Sequence, residues 1–173
     1  MALTTARGDG LTSINASNIS SGTLNSARFS GGKVLQVINK TDGTYQATSG
    51  SSYQDTSLSE SITPSSTSSK ILIMIDQKSA KASGNTGVKL RLNRGFNEAN
   101  VLSAFQVVGG ETQEGTRNDF GTSSFFYLDS PNTTSAVTYV TSLANHVSGT
   151  GSARVNSSND VSSMVLMEIS VWL

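Results

Sequence analysis

From residue 33 onward, apolar residues gather in short runs separated by turn residues, and that spacing predicts β-strands. Val34-Leu35-Gln36-Val37-Ile38 is the first run, and Asp42-Gly43, a turn dipeptide, ends it. Residues 56–63 form a weaker second run, closed by Pro64 and a Ser-rich loop. Ile71-Leu72-Ile73-Met74-Ile75 is the third, and its unbroken apolar character predicts cover on both faces. Residues 83–87 turn the chain into Val88-Lys89-Leu90-Arg91-Leu92. There the alternation points Val88, Leu90 and Leu92 inward and Lys89 and Arg91 outward. Further runs occupy 101–108, 124–128, 136–143 and 164–172, with a polar loop at 109–121. In the last run Val165, Met167, Ile169, Val171 and Leu173 share one face, and Met164, Leu166, Glu168, Ser170 and Trp172 make a mixed opposite face. Only residues 97–102 would admit a short helix. About eight strands at such spacing predict an all-β fold, an antiparallel β-sandwich or jelly-roll domain. Pairing of the first and last strands in one sheet is compatible with the pattern but not dictated by it.

The first thirty residues follow a different rhythm. They are rich in Ser, Thr, Asn and Gly, and the composition changes at Gly31-Gly32. The expected organisation is therefore an arm over residues 1–30 and a β-sandwich over 31–173. Ile14, Ile19, Leu24 and Phe29 recur every five residues, a period that suits neither helix nor flat strand. It resembles a pentapeptide-repeat coil, in which each five-residue side sends one apolar residue inward. So few pentads make a single turn, too little to bury a core alone. Two readings stand: an arm ordered by docking or trimerising through Leu11, Ile14, Ile19, Leu24 and Phe29, or a polar tail with chance spacing.

Composition narrows the chemistry. Lys and Arg total 12 and so do Asp and Glu, a net charge of zero with no basic run, which disfavours binding to nucleic acid through phosphates. No Cys and a single His exclude thiolate metal sites, zinc-protease motifs and disulfide scaffolds. No apolar run reaches the ~18–20 residues of a membrane-spanning helix. The opening Met-Ala-Leu-Thr-Thr-Ala-Arg lacks the order of a secretory signal, so synthesis in a cytoplasm is expected. Only 14% of residues are charged. Repulsion would do little to keep copies apart, which hints at a chain that assembles.

The candidate chemistry is sparse. His146 follows the 136–143 strand with no nucleophile elbow in the chain, and reads as a strand-end histidine. Glu111, Glu114 and Asp119 crowd one loop. Paired carboxylates can hydrolyse glycosides or hold Ca²⁺, but this spacing matches no EF-hand, Arg117 lies among them, and a solvated loop is the favoured reading. Arg7-Gly8-Asp9 matches an integrin-binding tripeptide and reads more simply as a turn. Gly149-Thr150-Gly151 lacks the context of a dinucleotide loop and is also a turn. Tyr45, Tyr53, Phe120 and Tyr127 lie near loops and strand ends, and two readings stand for Tyr45 and Tyr53: candidate receptor contacts, or rings packed under the loops. Phe125 and Phe126 are expected in the core. No cofactor is expected.

Three segments carry a resemblance. The arm Ile14-Asn15-Ala16-Ser17-Asn18-Ile19-Ser20-Ser21-Gly22-Thr23-Leu24 resembles segments of bacteriophage tail-fibre and virion structural proteins. Gly31-Gly32-Lys33-Val34-Leu35-Gln36-Val37, the stretch from Ile62-Thr63-Pro64 to Ile71-Leu72-Ile73, and the ending Met164-Val165-Leu166-Met167-Glu168-Ile169 resemble a β domain frequent in phages of marine bacteria and cyanobacteria. The resemblance implies a homotrimeric virion component, often a fibre or receptor-binding tip, and no catalytic residues. With about thirty residues ahead of the β domain, it implies a short fibre whose arm binds other virion proteins of tail or capsid. The sandwich would then meet a host-surface glycan or protein. A trimeric capsid decoration protein is the alternative, and a virion glycanase acting through Glu111, Glu114 and Asp119 is a third.

Overall fold

In the computed structural model residues 32–109 and 118–170 are described, with 106–109 and 118–119 by backbone alone. The arm positions Leu11, Ile14, Ile19, Leu24 and Phe29, the Arg7-Gly8-Asp9 tripeptide, Glu111, Glu114, Arg117 and residues 171–173 lie outside the described residues, as does the side chain of Asp119.

The described residues form ten strands: β1 (Val34–Asp42), β2 (Gln46–Thr48), β3 (Gln54–Ile62), β4 (Lys70–Ala82), β5 (Val88–Arg94), β6 (Val101–Gly109), β7 (Asn118–Asp129), β8 (Val137–Asn145), β9 (Ser152–Val155) and β10 (Ser162–Ile169). They make two antiparallel sheets. In one, β1, β10, β4 and β7 lie side by side, with β9 and β2 extending it beyond β10; the other runs β3-β8-β5-β6. Every link between the eight long strands crosses from sheet to sheet except the β5–β6 hairpin, which is jelly-roll connectivity. The first and last long strands do pair, with Val37 opposite Met167. The two strands not expected from sequence, β2 and β9, are short. β9 continues along β4 from Ser79 to Ala82, where β10 has already ended.

The core follows from alternation. Ile71, Ile73 and Ile75 of β4 face Leu92 and Tyr139 of the other sheet, together with Leu58, Ile62, Met164 and Leu166. Val88, Leu90, Leu143, Ala153 and Val155 form a smaller cluster beneath β9. Val88, Leu90 and Leu92 point inward, as their alternation requires.

Three expectations need correction. Among the described residues the β4 run is covered on one face, because a two-layer sandwich offers each sheet a single partner; Leu72 and Met74 are half-buried on the outside. Phe126 is 66% exposed rather than in the core, while Phe125 and Tyr127, on the opposite side of β7, pack inward. Residues 97–102 form no helix: Asn97 and Glu98 have positive φ, and β6 begins at Val101. For β10 the pattern left the inward face open, and the buried one is the mixed face, Met164, Leu166 and Glu168.

A carboxylate on that buried face is tolerated because it is saturated with donors. The Ser65 N–H and Oγ each donate to Glu168 Oε1 at 2.7 Å, and Gln36 Nε2 donates to Oε2 at 2.7 Å. Burial raises the Glu168 pKa, but the adjacent Ser69 hydroxyl and the bonds from Ser65 and Gln36 outweigh it and hold the group below the usual glutamate value. A depressed folded pKa stabilises the fold above the unfolded value of 4.5, and that contribution is lost as pH falls through the folded value. Thermal unfolding against pH should therefore show wild type ahead of Glu168→Gln at neutral pH, with the gap closing below about pH 4. A gap that persists unchanged into strong acid would contradict the donor set.

Candidate functional site

The sandwich has two unlike ends. At one, Gly32 N–H donates to Ser170 O at 2.8 Å and Ser170 N–H to Lys33 O at 2.9 Å, so both ends of the described chain meet there. The links 63–69, 95–100 and 130–136 lie at this end.

At the other end, buried Asn145 gathers three loops. Its amide donates to Ser49 O (3.2 Å), Val147 O (2.9 Å) and Thr150 O (3.1 Å), and its Oδ1 accepts from Thr86 Oγ1 at 2.7 Å. The backbone adds Gly149 N–H to Ser49 O and His146 N–H to Gly87 O. These bonds tie Ser49 and the segments 83–87 and 146–151 to one another at this end. His146 contributes its backbone there and is a strand-end residue, as the sequence indicates.

Tyr53, just before β3, lays its ring against outward side chains of β5. The Arg91 guanidinium lies 3.7 Å from its ring centroid and Lys89 Nζ 5.4 Å, while Arg91 Nη1 pairs with Glu98 Oε1 at 2.9 Å. Burial raises the Tyr53 hydroxyl's pKa, and the Arg91 charge partly opposes it. The ring is half-buried, with one face already taken by a cation. Tyr45 sits elsewhere, between β1 and β2, 53% exposed and 5.8 Å from the Arg154 guanidinium of β9. The two tyrosines attach to different sheets, and no ring contact joins them. Phe120 packs on the smaller core cluster.

The outer faces of the two sheets also differ. That of β3-β8-β5-β6 is polar and furnished with its own partners: Asp55 accepts from Ser142 Oγ at 3.0 Å and from Asn97 N–H, and Asn93 donates to Ser142. That of β1-β10-β4-β7 is apolar. Two cross-strand rows run over it, Val37-Met167-Leu72-Leu128 and Asn39-Val165-Met74-Phe126. A polar row, Thr41-Ser163-Asp76-Ser124, bounds them on the loop side. On the other side lie Val34, Ile169 and Lys70, the last bonded to Ser130 Oγ at 2.6 Å. Met74, Phe126 and Val165 line a shallow depression there. This face was not anticipated from the sequence. The unbroken run at 71–75 was its signal, read as cover on both faces rather than as one exposed apolar face.

Among the described residues, no group of three or more His, Asp or Glu side chains could hold a metal ion, and no helix is long and apolar enough to cross a membrane.

No protein-family description and no curated protein sequence matches this chain. Solved structures do. The chain is similar to a structure of the infectious bursal disease virus Gx strain, with 11% identity and a TM-score of 0.44 over 79% of this chain and 40% of that one. It is similar to the crystal structure of the infectious bursal disease virus VP2 subviral particle, with 11% identity and a TM-score of 0.42 over 80% and 40%. The structure of T=1 particles derived from infectious bursal virus is similar with 10% identity and a TM-score of 0.45 over 94% and 41%. The chain thus spans about two-fifths of the length of the structures it matches.

Proposed function

We propose that this chain is a non-enzymatic structural protein of a bacteriophage particle, made in the host cytoplasm and incorporated into the virion. It is a short trimeric fibre, anchored through residues 1–30 to other virion proteins, whose β-sandwich meets a glycan or protein of the host surface. The observation that carries this reading is the polarity of the sandwich. The described chain enters and leaves at one end, at Gly32 and Ser170, and three loops tied together by Asn145 form the other. A domain held by an N-terminal anchor would present that second, rigid end outward. Tyr53 beside Arg91, and Tyr45 beside Arg154, offer amphipathic rings with nearby cations, a composition suited to contacting glycan or protein. In the arm, Leu11, Ile14, Ile19, Leu24 and Phe29 are the docking positions. The resemblance of the arm and of the β-domain segments to phage virion proteins supports the particle as the setting.

Particles assembled without this chain are expected to adsorb to host cells at least roughly tenfold more slowly, and added purified chain should compete with intact phage for the host. Normal adsorption combined with heads that rupture under osmotic shock would overturn the fibre reading in favour of capsid decoration.

A further inference from the structure

We infer that the flank of the sandwich between β2 and β3 is a saccharide subsite that takes one neutral sugar ring of a glycan. The glycan's place on the host surface rests on the reading proposed above; the cleft and its chemistry do not.

Connectivity makes the cleft. β2 is an edge strand of one sheet and β3 of the other, and the link 49–53 carries the chain from layer to layer at the loop end. Two edges that lie across from each other without pairing leave a cleft of about 220 Å³. Gln46 and Ala47 line one lip, and Gln54, Asp55 and Thr56 the other. Buried Leu143, paired with Gln54 in the sheet, supplies its apolar part.

Its polar groups are placed and available. Gln46 Oε1 accepts from the Ser57 N–H at 2.7 Å and from Ser57 Oγ at 3.1 Å. Those bonds fix the side chain and leave Nε2 to donate. Among the described residues neither Gln46 Nε2 nor the Gln54 amide has a hydrogen-bond partner. The Thr56 hydroxyl is committed to Thr141 at 2.6 Å and holds the wall.

This chemistry selects a sugar. A sugar ring carries hydroxyls on its rim, each a donor and an acceptor, and apolar C–H groups on its faces. A primary amide offers N–H and C=O side by side, which matches neighbouring hydroxyls, while Leu143 and Ala47 suit the C–H face. A volume this small holds one ring rather than an extended ligand. Asp55 is the one charged residue among those lining the cleft, and a carboxylate there disfavours acidic sugars and phosphates. An extended peptide is poorly served, because the N–H groups of Ser57 and Leu58 on β3 are already taken by Gln46 Oε1 and Thr56 Oγ1. Tyr45 and Tyr53 immediately precede Gln46 and Gln54, so each lip continues into an aromatic residue.

The test is an NMR titration of the full chain with D-glucose, D-galactose, D-mannose and N-acetyl-D-glucosamine, with N-acetylneuraminic acid as the acidic comparison. At least one neutral sugar should shift the side-chain amide signals of Gln46 and Gln54 together, with a Kd on the order of 1 mM. Gln54→Ala removes an exposed side chain that holds nothing in the fold, and should weaken that binding roughly fivefold with thermal unfolding unchanged. Ala47→Trp, from an exposed position on the other lip, should fill the cleft and abolish binding. If the tryptophan variant does not fold, Gln54→Ala decides alone. The subsite is overturned if no neutral sugar moves either amide, if the acidic sugar binds more tightly than every neutral one, or if Gln54→Ala binds as wild type does. Adsorption is read separately. Phage carrying Ala47→Trp that adsorb normally, although the purified variant has lost the sugar, would refute the host-glycan reading and spare the subsite. A chain required for adsorption whose cleft takes no sugar would refute the subsite and spare the fibre.

Discussion

Replacing Gly151 by alanine should destabilise the sandwich by about 3–5 kcal/mol, more than a side-chain deletion at most surface positions. A Cβ at Gly151 would lie 1.8 Å from Ser83 O and 2.7 Å from Ala82 O, both backbone atoms, and its φ is +63°. The neighbouring backbone cannot retreat cheaply. Ala82 pairs with Ser152 where β9 joins β4, and Asn145 holds the Thr150 carbonyl beside it. Gly84 packs into the same contact, its own would-be Cβ 2.7 Å from Gly151 N. Gly149 is the internal control. It too has a positive φ, but nothing lies within 4 Å of its would-be Cβ, so alanine there should cost only about 1 kcal/mol. Urea unfolding of the two variants reads the difference directly. Equal losses would mean that the approach of residues 83 and 151 is not what closes this end of the sandwich. If the fibre reading holds, Gly151→Ala should also weaken adsorption by loosening the loop surface.

Asp129→Ala is expected to cost about 2–4 kcal/mol, through a buried polar link between the sheets at the opposite end. Asp129 is 4% exposed. Its Oδ1 accepts from Arg94 Nη2 at 2.8 Å and its Oδ2 from the Tyr139 hydroxyl at 2.7 Å. β7, which carries the carboxylate, belongs to one sheet, and β5 and β8, which carry the donors, belong to the other. Burial, and secondly the hydrogen bond to Asp129, raise the Tyr139 pKa, so its hydroxyl remains a donor throughout the ordinary pH range. Removing the carboxylate strands a guanidinium and a phenol, and the loss is mostly that of unpaired groups rather than of the pair's net worth. The value sits below that of a fully buried pair because the Arg94 side chain is 27% exposed to water. Double-mutant cycles should show Tyr139→Phe costing less in the Asp129→Ala background than in wild type. Additive losses would show that the three groups do not act together.

Most of the strand pattern is legible in the sequence because alternation is a local property. Residues 88–92 show this: one residue in, one residue out, with the charged positions outward. Asp42-Gly43 was equally readable as the end of β1. The short β2 and β9 were not, since three or four residues carry too little period and are held by pairing with partners far along the chain. Glu168 shows a different limit. A carboxylate in a strand reads as an outward position, and only the convergence of Gln36 and Ser65 makes burial affordable. Of the candidate receptor contacts, Tyr45 and Tyr53 could be named from their loop setting. Their separation on two sheets, and the stacking of Arg91 on one ring, depend on contacts that no local pattern encodes.

What the sequence determined by itself is therefore the class and the rhythm: about eight strands of alternating character, a five-residue apolar spacing ahead of Gly31, and a composition without thiols or net charge. Those are sums and short-range periodicities, present before the chain folds. Tertiary structure alone decided which side of each sheet meets the other sheet. The run Ile71-Leu72-Ile73-Met74-Ile75 is apolar on both sides, so hydrophobicity could not choose. The crossing connections laid one sheet over Ile71, Ile73 and Ile75 and left Leu72 and Met74 outside, in register with Met167, Leu128, Val165 and Phe126. A sandwich has two layers and each sheet has two faces, so among the described residues one apolar face has no layer over it, and register between strands distant in sequence assembled it into a surface.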